Sequence, residues 1–111
     1  MKTCAYLLHV TEADRWPAVL SNLANMVQQG YGPELVVVIN GTAIYVLQGE
    51  HDWRASMARA AAAGVRFHVC QRSLDNHQIS SSSLPEWIVP VPAALPSIAE
   101  QVGAGATYIK P

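Results

Sequence analysis

Cys70 closes the apolar segment Val65-Arg66-Phe67-His68-Val69-Cys70 and is followed at once by Gln71-Arg72-Ser73. A thiol reacts as its anion, and a nearby cation or the N–H groups of a helix start favour that form. Arg72 supplies such a cation, and Ser73 is a residue type suited to a helix start. The chemistry these residues allow is thiol or persulfide exchange at sulfur. The plain alternative is a small buried hydrophobe that does not react, and position alone leaves both readings open.

The other cysteine, Cys4, falls inside the first apolar segment and reads as inert. A Cys4–Cys70 disulfide would need two positions at different depths of a sheet to come within about 7 Å between Cα atoms. His9 ends the same first segment. It can deprotonate or orient a thiol if its strand neighbours that of Cys70, and otherwise serves as a hydrogen-bonded structural group. His68 and Cys70 share a strand face, but with His77 they match no standard zinc spacing, so no metal is expected.

Asn25 lies three residues after Asn22 on one predicted helix, Asn40-Gly41 is a turn dipeptide, and Ser73 follows Cys70. These make Asn25, Asn40, Gly41 and Ser73 the candidate binding residues. The single glycine of Asn40-Gly41-Thr42-Ala43 makes no phosphate-binding loop, and no Ser, His and Asp arrangement has elbow spacing. No cofactor is expected.

Five apolar segments position these residues. Strands are predicted over 2–10, 35–39, 65–70, 87–92 and 106–110, the first without a period of two or 3.6, as expected where both faces of a sheet are covered. Between them, Trp16, Val19, Leu20, Leu23 and Val27 recur at helical spacing up to Gly30. A second helix turns Trp53, Met57, Ala60 and Ala61 inward and stops at Gly64, and a last one turns Leu95, Ile98, Ala99 and Val102 inward. Residues 42–47 suit a short helical turn. Residues 71–85, with Ser80 to Ser83, read as a surface loop with one helical turn near 73–76.

Strands alternating with helices imply a mainly parallel sheet with helices on both faces, hence an α/β class. In such sheets the ligand crevice lies outside the carboxyl ends of the strands. That rule gathers His9, Asn40-Gly41 and Cys70-Gln71-Arg72-Ser73 at one mouth.

With 111 residues, half of them apolar, the chain is long enough for a single domain over 1–111 with its own core. Seven Lys and Arg are scattered among eight Asp and Glu for a formal charge of −1, which argues against nucleic-acid binding. The apolar run at the N-terminus is short and meets His9 and Glu12, so it reads as a strand and not as a signal peptide. No run approaches the roughly 20 apolar residues that span a bilayer. Two cysteines without a secretory signal suggest the cytoplasm.

The segments His9-Val10-Thr11-Glu12-Ala13-Asp14-Arg15-Trp16, Leu35-Val36-Val37-Val38-Ile39-Asn40-Gly41, Gly64 to Leu74 and Tyr108-Ile109-Lys110-Pro111 resemble, in order and spacing, the DsrE/DsrF-like proteins of sulfur-relay systems. The resemblance runs nearly end to end, although Pro92 to Pro96 lacks the glycine expected after the fourth strand. It implies a three-layer α/β/α fold with a five-stranded parallel sheet and assembly into trimers, hexamers or dimers. It also implies that the cysteine at the position of Cys70 accepts sulfur as a persulfide from a donor protein and passes it to an acceptor. The expected function is therefore sulfur relay on Cys70, with Arg72 and His9 assisting. The alternative is an oligomeric ligand- or protein-binding module of the same fold, with Trp87 and apolar strand ends at its interface.

Overall fold

The computed structural model describes residues 4–111, and their strands form one sheet. The strands are β1 (Tyr6–Val10), β2 (Leu35–Ile39), β3 (Arg66–Cys70), β4 (Ile88–Val91) and β5 (Thr107–Ile109), in the order β4-β3-β2-β1-β5. Every pairing is parallel. The expected strand over 2–10 begins at Tyr6, and its residues Lys2 and Thr3 lie outside the described residues. Cys4 therefore precedes the strand, although it is still buried.

Four helices cover the sheet: α1 (Trp16–Gln28), α2 (Asp52–Ala62), α3 (Gln71–Asn76) and α4 (Ala94–Gly103). α1, α2, α3 and the 3-10 segment Gly41–Leu47 bury Trp16, Val19, Leu23, Ile44, Met57 and Leu74 against Leu8, Val37, Ile39, Phe67 and Val69. On the opposite face α4 sets Ala94 and Ile98 against Leu7, Val36, Val38 and Cys70. Because both faces are covered, all five residues of β2 are buried, which explains its unbroken β-branched run. β4 lies at the edge of the sheet, where Pro90 is tolerated because an outer strand does not need every donor.

Three expectations change. Residues 71–85 are not mainly loop: α3 starts directly after Cys70, Leu74 and Ile79 are buried, and Ser81–Ser83 forms a 3-10 turn capped by the Ser80 hydroxyl. Trp53 does not point inward. It is 42% exposed in the first turn of α2, edge-on to His51.

α4 is rotated from its expected orientation. Ile98 is buried, but Leu95 is 65% and Val102 42% exposed and Ala99 is in solvent, while Ser97 and Gln101 are half-buried. The inward row is instead Ala94, Ile98 and Gln101, with the first two in the core and Gln101 Oε1 accepting from the Cys4 thiol at 2.9 Å.

Candidate functional site

Cys70 is the last residue of β3 and the N-cap of α3, with extended backbone (φ −71, ψ 115). The side chain of an N-cap residue faces the amides two and three residues on, here those of Arg72 and Ser73. An aspartate or serine in this position would accept from them. The Cys70 side chain makes no capping hydrogen bond, but the nearby Ser73 and Arg72 N–H groups favour its anion.

Burial pushes the Cys70 thiol up. The Ser73 amide and hydroxyl, the Ala94 amide at the start of α4 and the Arg72 amide push it down, and together they prevail, so it ionises below the ordinary thiol value of 9.0. Arg72 thus acts through its backbone, with its side chain in solvent. Cys4 behaves oppositely: burial outweighs the charge of Arg66 and the backbone, and its thiol is pushed above 9.0. Both cysteines are free.

Ser73 is tied to the next strand. Its Oγ accepts the Gly41 amide at 3.1 Å. Gly41 adopts φ +59, and a Cβ there would meet the Thr11 carbonyl oxygen at 2.5 Å, so only glycine lets the turn approach this closely. Asn40, just before it, is held twice. Its amide donates to Val10 O at 3.1 Å, and its Oδ1 meets His9 Nε2 at 2.9 Å.

His9 is 5% exposed and its ring is fully engaged. Asn40 Oδ1 only accepts, so Nε2 carries the proton and Nδ1 accepts from the Tyr108 hydroxyl at 2.7 Å. Burial holds the imidazole below its ordinary 6.5 and Lys110 adds to this, against the opposing Asn40 bond. β1 pairs with β2 and β5, and β2 separates it from β3. The condition for His9 to act directly on the thiol, neighbouring strands, is therefore not met.

The remaining candidates are dispersed. Asn25 is exposed near the end of α1, where the chain returns to the amino edge of the sheet, opposite Cys70. His77 Nδ1 meets the Tyr45 hydroxyl at 2.6 Å, on the side of the Gly41–Leu47 segment, whereas His68 and Cys70 belong to the α4 side of the sheet. Among the described residues no three His, Cys, Asp or Glu side chains are placed to hold a metal.

The chain order reverses between β1 and β5, which is where the crevice rule applies most directly. A depression of about 280 Å³ lies there, lined by His9, Thr11, Arg15 and Lys110 among others and not by Cys70. Two residues of the site carry no local signal in the sequence. Tyr108 meets His9 from 99 positions away, and Ala94 contributes only its amide.

A sequence profile described as the DsrE/DsrF-like family matches residues 6–111. The chain belongs to the DsrE/DsrF-like family. Solved structures agree on the fold of this DsrE/DsrF-like chain. A protein of unknown function, MTH1491 from Methanobacterium thermoautotrophicum, superposes with a TM-score of 0.85 at 22% identity, covering 96% of this chain and 97% of its own. BT1422 of Bacteroides thetaiotaomicron, also of unknown function, gives 0.76 at 12% identity with coverage of 96% and 95%. The ychN protein of E. coli gives 0.71 at 14% identity with coverage of 95% and 97%. No curated protein matches the DsrE/DsrF-like chain significantly in sequence. Among its described residues no helix is long and apolar enough to cross a membrane.

Proposed function

We propose that this DsrE/DsrF-like chain is a sulfur-relay protein that carries one sulfane sulfur as a persulfide on Cys70. The observation that carries the reading is the place of Cys70 as N-cap of α3, where the Ser73 amide and hydroxyl, with the Ala94 and Arg72 amides, outweigh burial and favour the thiolate. The thiolate attacks the outer sulfur of a donor persulfide. A bond forms between Cys70 Sγ and that sulfur, the donor's own S–S bond breaks, and the donor leaves as its thiolate. One S–S bond replaces another, the transferred sulfur keeps its hydrogen, and no external oxidant or reductant is consumed.

Release onto an acceptor thiolate is the same exchange with Cys70 as leaving group. Thiols of low pKa leave faster, so the donors that activate Cys70 for uptake also assist discharge. Cys70 is only 6% exposed, so a donor or acceptor must bring its sulfur to the edge of the sheet at the end of β3. The reducing cytoplasm, where both thiols stay free, is the matching compartment.

The test is intact mass after incubation with a persulfide donor, followed by removal of the donor. The wild type gains one sulfur atom that dithiothreitol removes, and Cys70→Ser gains none. No added sulfur on the wild type, or equal loading of Cys70→Ser, overturns the reading.

The rotation of α4 favours a second, compatible reading: the chain self-associates. Leu95, Ala99 and Val102 recur at one-face helical spacing yet lie in solvent. A helix apolar on two sides suits burial on two sides. Sedimentation velocity of the wild type tests it, and a strictly monomeric protein at micromolar concentration overturns it.

A further inference from the structure

We propose that His9 is a positioning residue for Cys70, acting through the Asn40–Gly41 turn and the Ser73 hydroxyl. The inference rests on the reading of Cys70 as a reacting thiol, but its geometry is separate. Tyr108, His9, Asn40, Gly41 and Ser73 form one line across the carboxyl edge of β5, β1, β2 and β3, closed at 2.7, 2.9 and 3.1 Å.

The direction of each hydrogen fixes the next. The Tyr108 hydroxyl donates to Nδ1, which leaves the imidazole proton on Nε2, and that proton holds Asn40 Oδ1. With its side chain on His9 and its amide on Val10 O, Asn40 has no freedom to turn. The Gly41 amide is then aimed at Ser73 Oγ. A serine hydroxyl has one proton and accepts at two lone pairs. Once the Gly41 N–H occupies an acceptor position, the Ser73 proton points away from it, and the Cys70 sulfur is the group it favours as an anion.

A histidine 95% buried and bonded at both ring nitrogens thus acts on the thiol without touching it. His9 and Cys70 share the carboxyl edge because their strands are parallel, and the line bridges β2, which lies between them.

The experiment measures the pH midpoint of iodoacetamide alkylation of Cys70 in the full chain carrying Cys4→Ala, so that one thiol remains. His9→Leu removes the donor to Asn40 and is expected to raise the midpoint and to lower the thiolate population at pH 7 by about threefold, within the usual reach of coupling through a side-chain network. His9→Gln, whose amide again donates to Asn40, is expected to restore most of it. Ser73→Ala raises the midpoint by itself, and His9→Leu added to Ser73→Ala changes it little further, because the two act in series.

An unchanged midpoint in His9→Leu, a His9→Gln variant as impaired as His9→Leu, or full additivity with Ser73→Ala overturns the inference. Should His9→Leu fail to fold, Tyr108→Phe decides. An upward shift of the midpoint supports the relay, and an unchanged midpoint overturns it. Persulfide loading is scored separately by mass, so failure of the sulfur-carrier reading shows as absent loading while the alkylation coupling persists.

Discussion

The Gly41 amide donates to the Ser73 hydroxyl at 3.1 Å, joining the turn after β2 to the helix that Cys70 caps. This contact converts two loops that merely neighbour each other into one support for a thiolate. Its consequences can be measured one residue at a time.

Ser73→Ala removes the hydroxyl and keeps the amide. A hydrogen bond to a charged group contributes about 1.5–3 kcal/mol, roughly tenfold or more in an equilibrium. The Cys70 thiolate population at pH 7 should fall by about that factor, and the absorbance of the thiolate near the far ultraviolet edge, followed through a pH titration, checks it. Ser73→Thr, which keeps a hydroxyl, should remain close to wild type.

The two thiols should separate kinetically. Cys70 ionises below 9.0 and Cys4 above it, so alkylation of Cys70 rises at lower pH than that of Cys4. Peptide mapping after a short exposure to iodoacetamide at pH 7.5 should find the label on Cys70 and Cys4 almost unlabelled.

Gly41→Ala should be destabilising by about 1–3 kcal/mol, the usual cost of a side chain forced into left-handed backbone. The contact of a Cβ with Thr11 O adds to that strain. Urea unfolding should show a lower midpoint with an unchanged slope, and a variant as stable as wild type contradicts the account.

Acidification should weaken the fold through His9 and His68, both held below 6.5 by burial, with Lys110 and Arg66 respectively adding to it. The unfolded chain binds protons first as pH falls, so the contribution is fully present above 6.5. It is lost as pH drops from 6.5 toward the lower folded values, with a slope of at most about 1.4 kcal/mol per pH unit for each histidine. Urea midpoints at pH 7.5 and 5.5 measure it, and equal midpoints would contradict the sign.

Leu95→Glu should leave the stability of one chain within about 0.5 kcal/mol, because Leu95 is 65% exposed there. If copies associate through α4, the same substitution separates them, which sedimentation at matched concentrations reports.

Much of the fold was legible because burial leaves its pattern on neighbouring residues. The unbroken run Leu35-Val36-Val37-Val38-Ile39 announced a strand covered on both faces, and Trp16, Val19 and Leu23 announced the inner stripe of α1. α4 departs from its local pattern for the same reason in reverse. Leu95, Ala99 and Val102 are apolar at helical spacing, but the inward row is Ala94, Ile98 and Gln101, the last meeting Cys4 from 97 positions away. α3 is longer than its local pattern suggests, because Cys70 is an unusual N-cap and Leu74 and Ile79, which anchor the segment, lie among polar neighbours.

What the sequence determined by itself was local: which segments are strands, and that Cys70 closes one of them beside Ser73. Strand order is a property of the closed sheet, and only the tertiary structure placed β2 between His9 and Cys70. It also decided that Arg72 acts through its amide, that Ala94 brings a second helix start to the sulfur, and that Tyr108 completes the ring of His9. These relations depend on directional bonds between residues as many as 99 positions apart, and a hydrogen bond of that span leaves no periodicity in the chain for a reader to find.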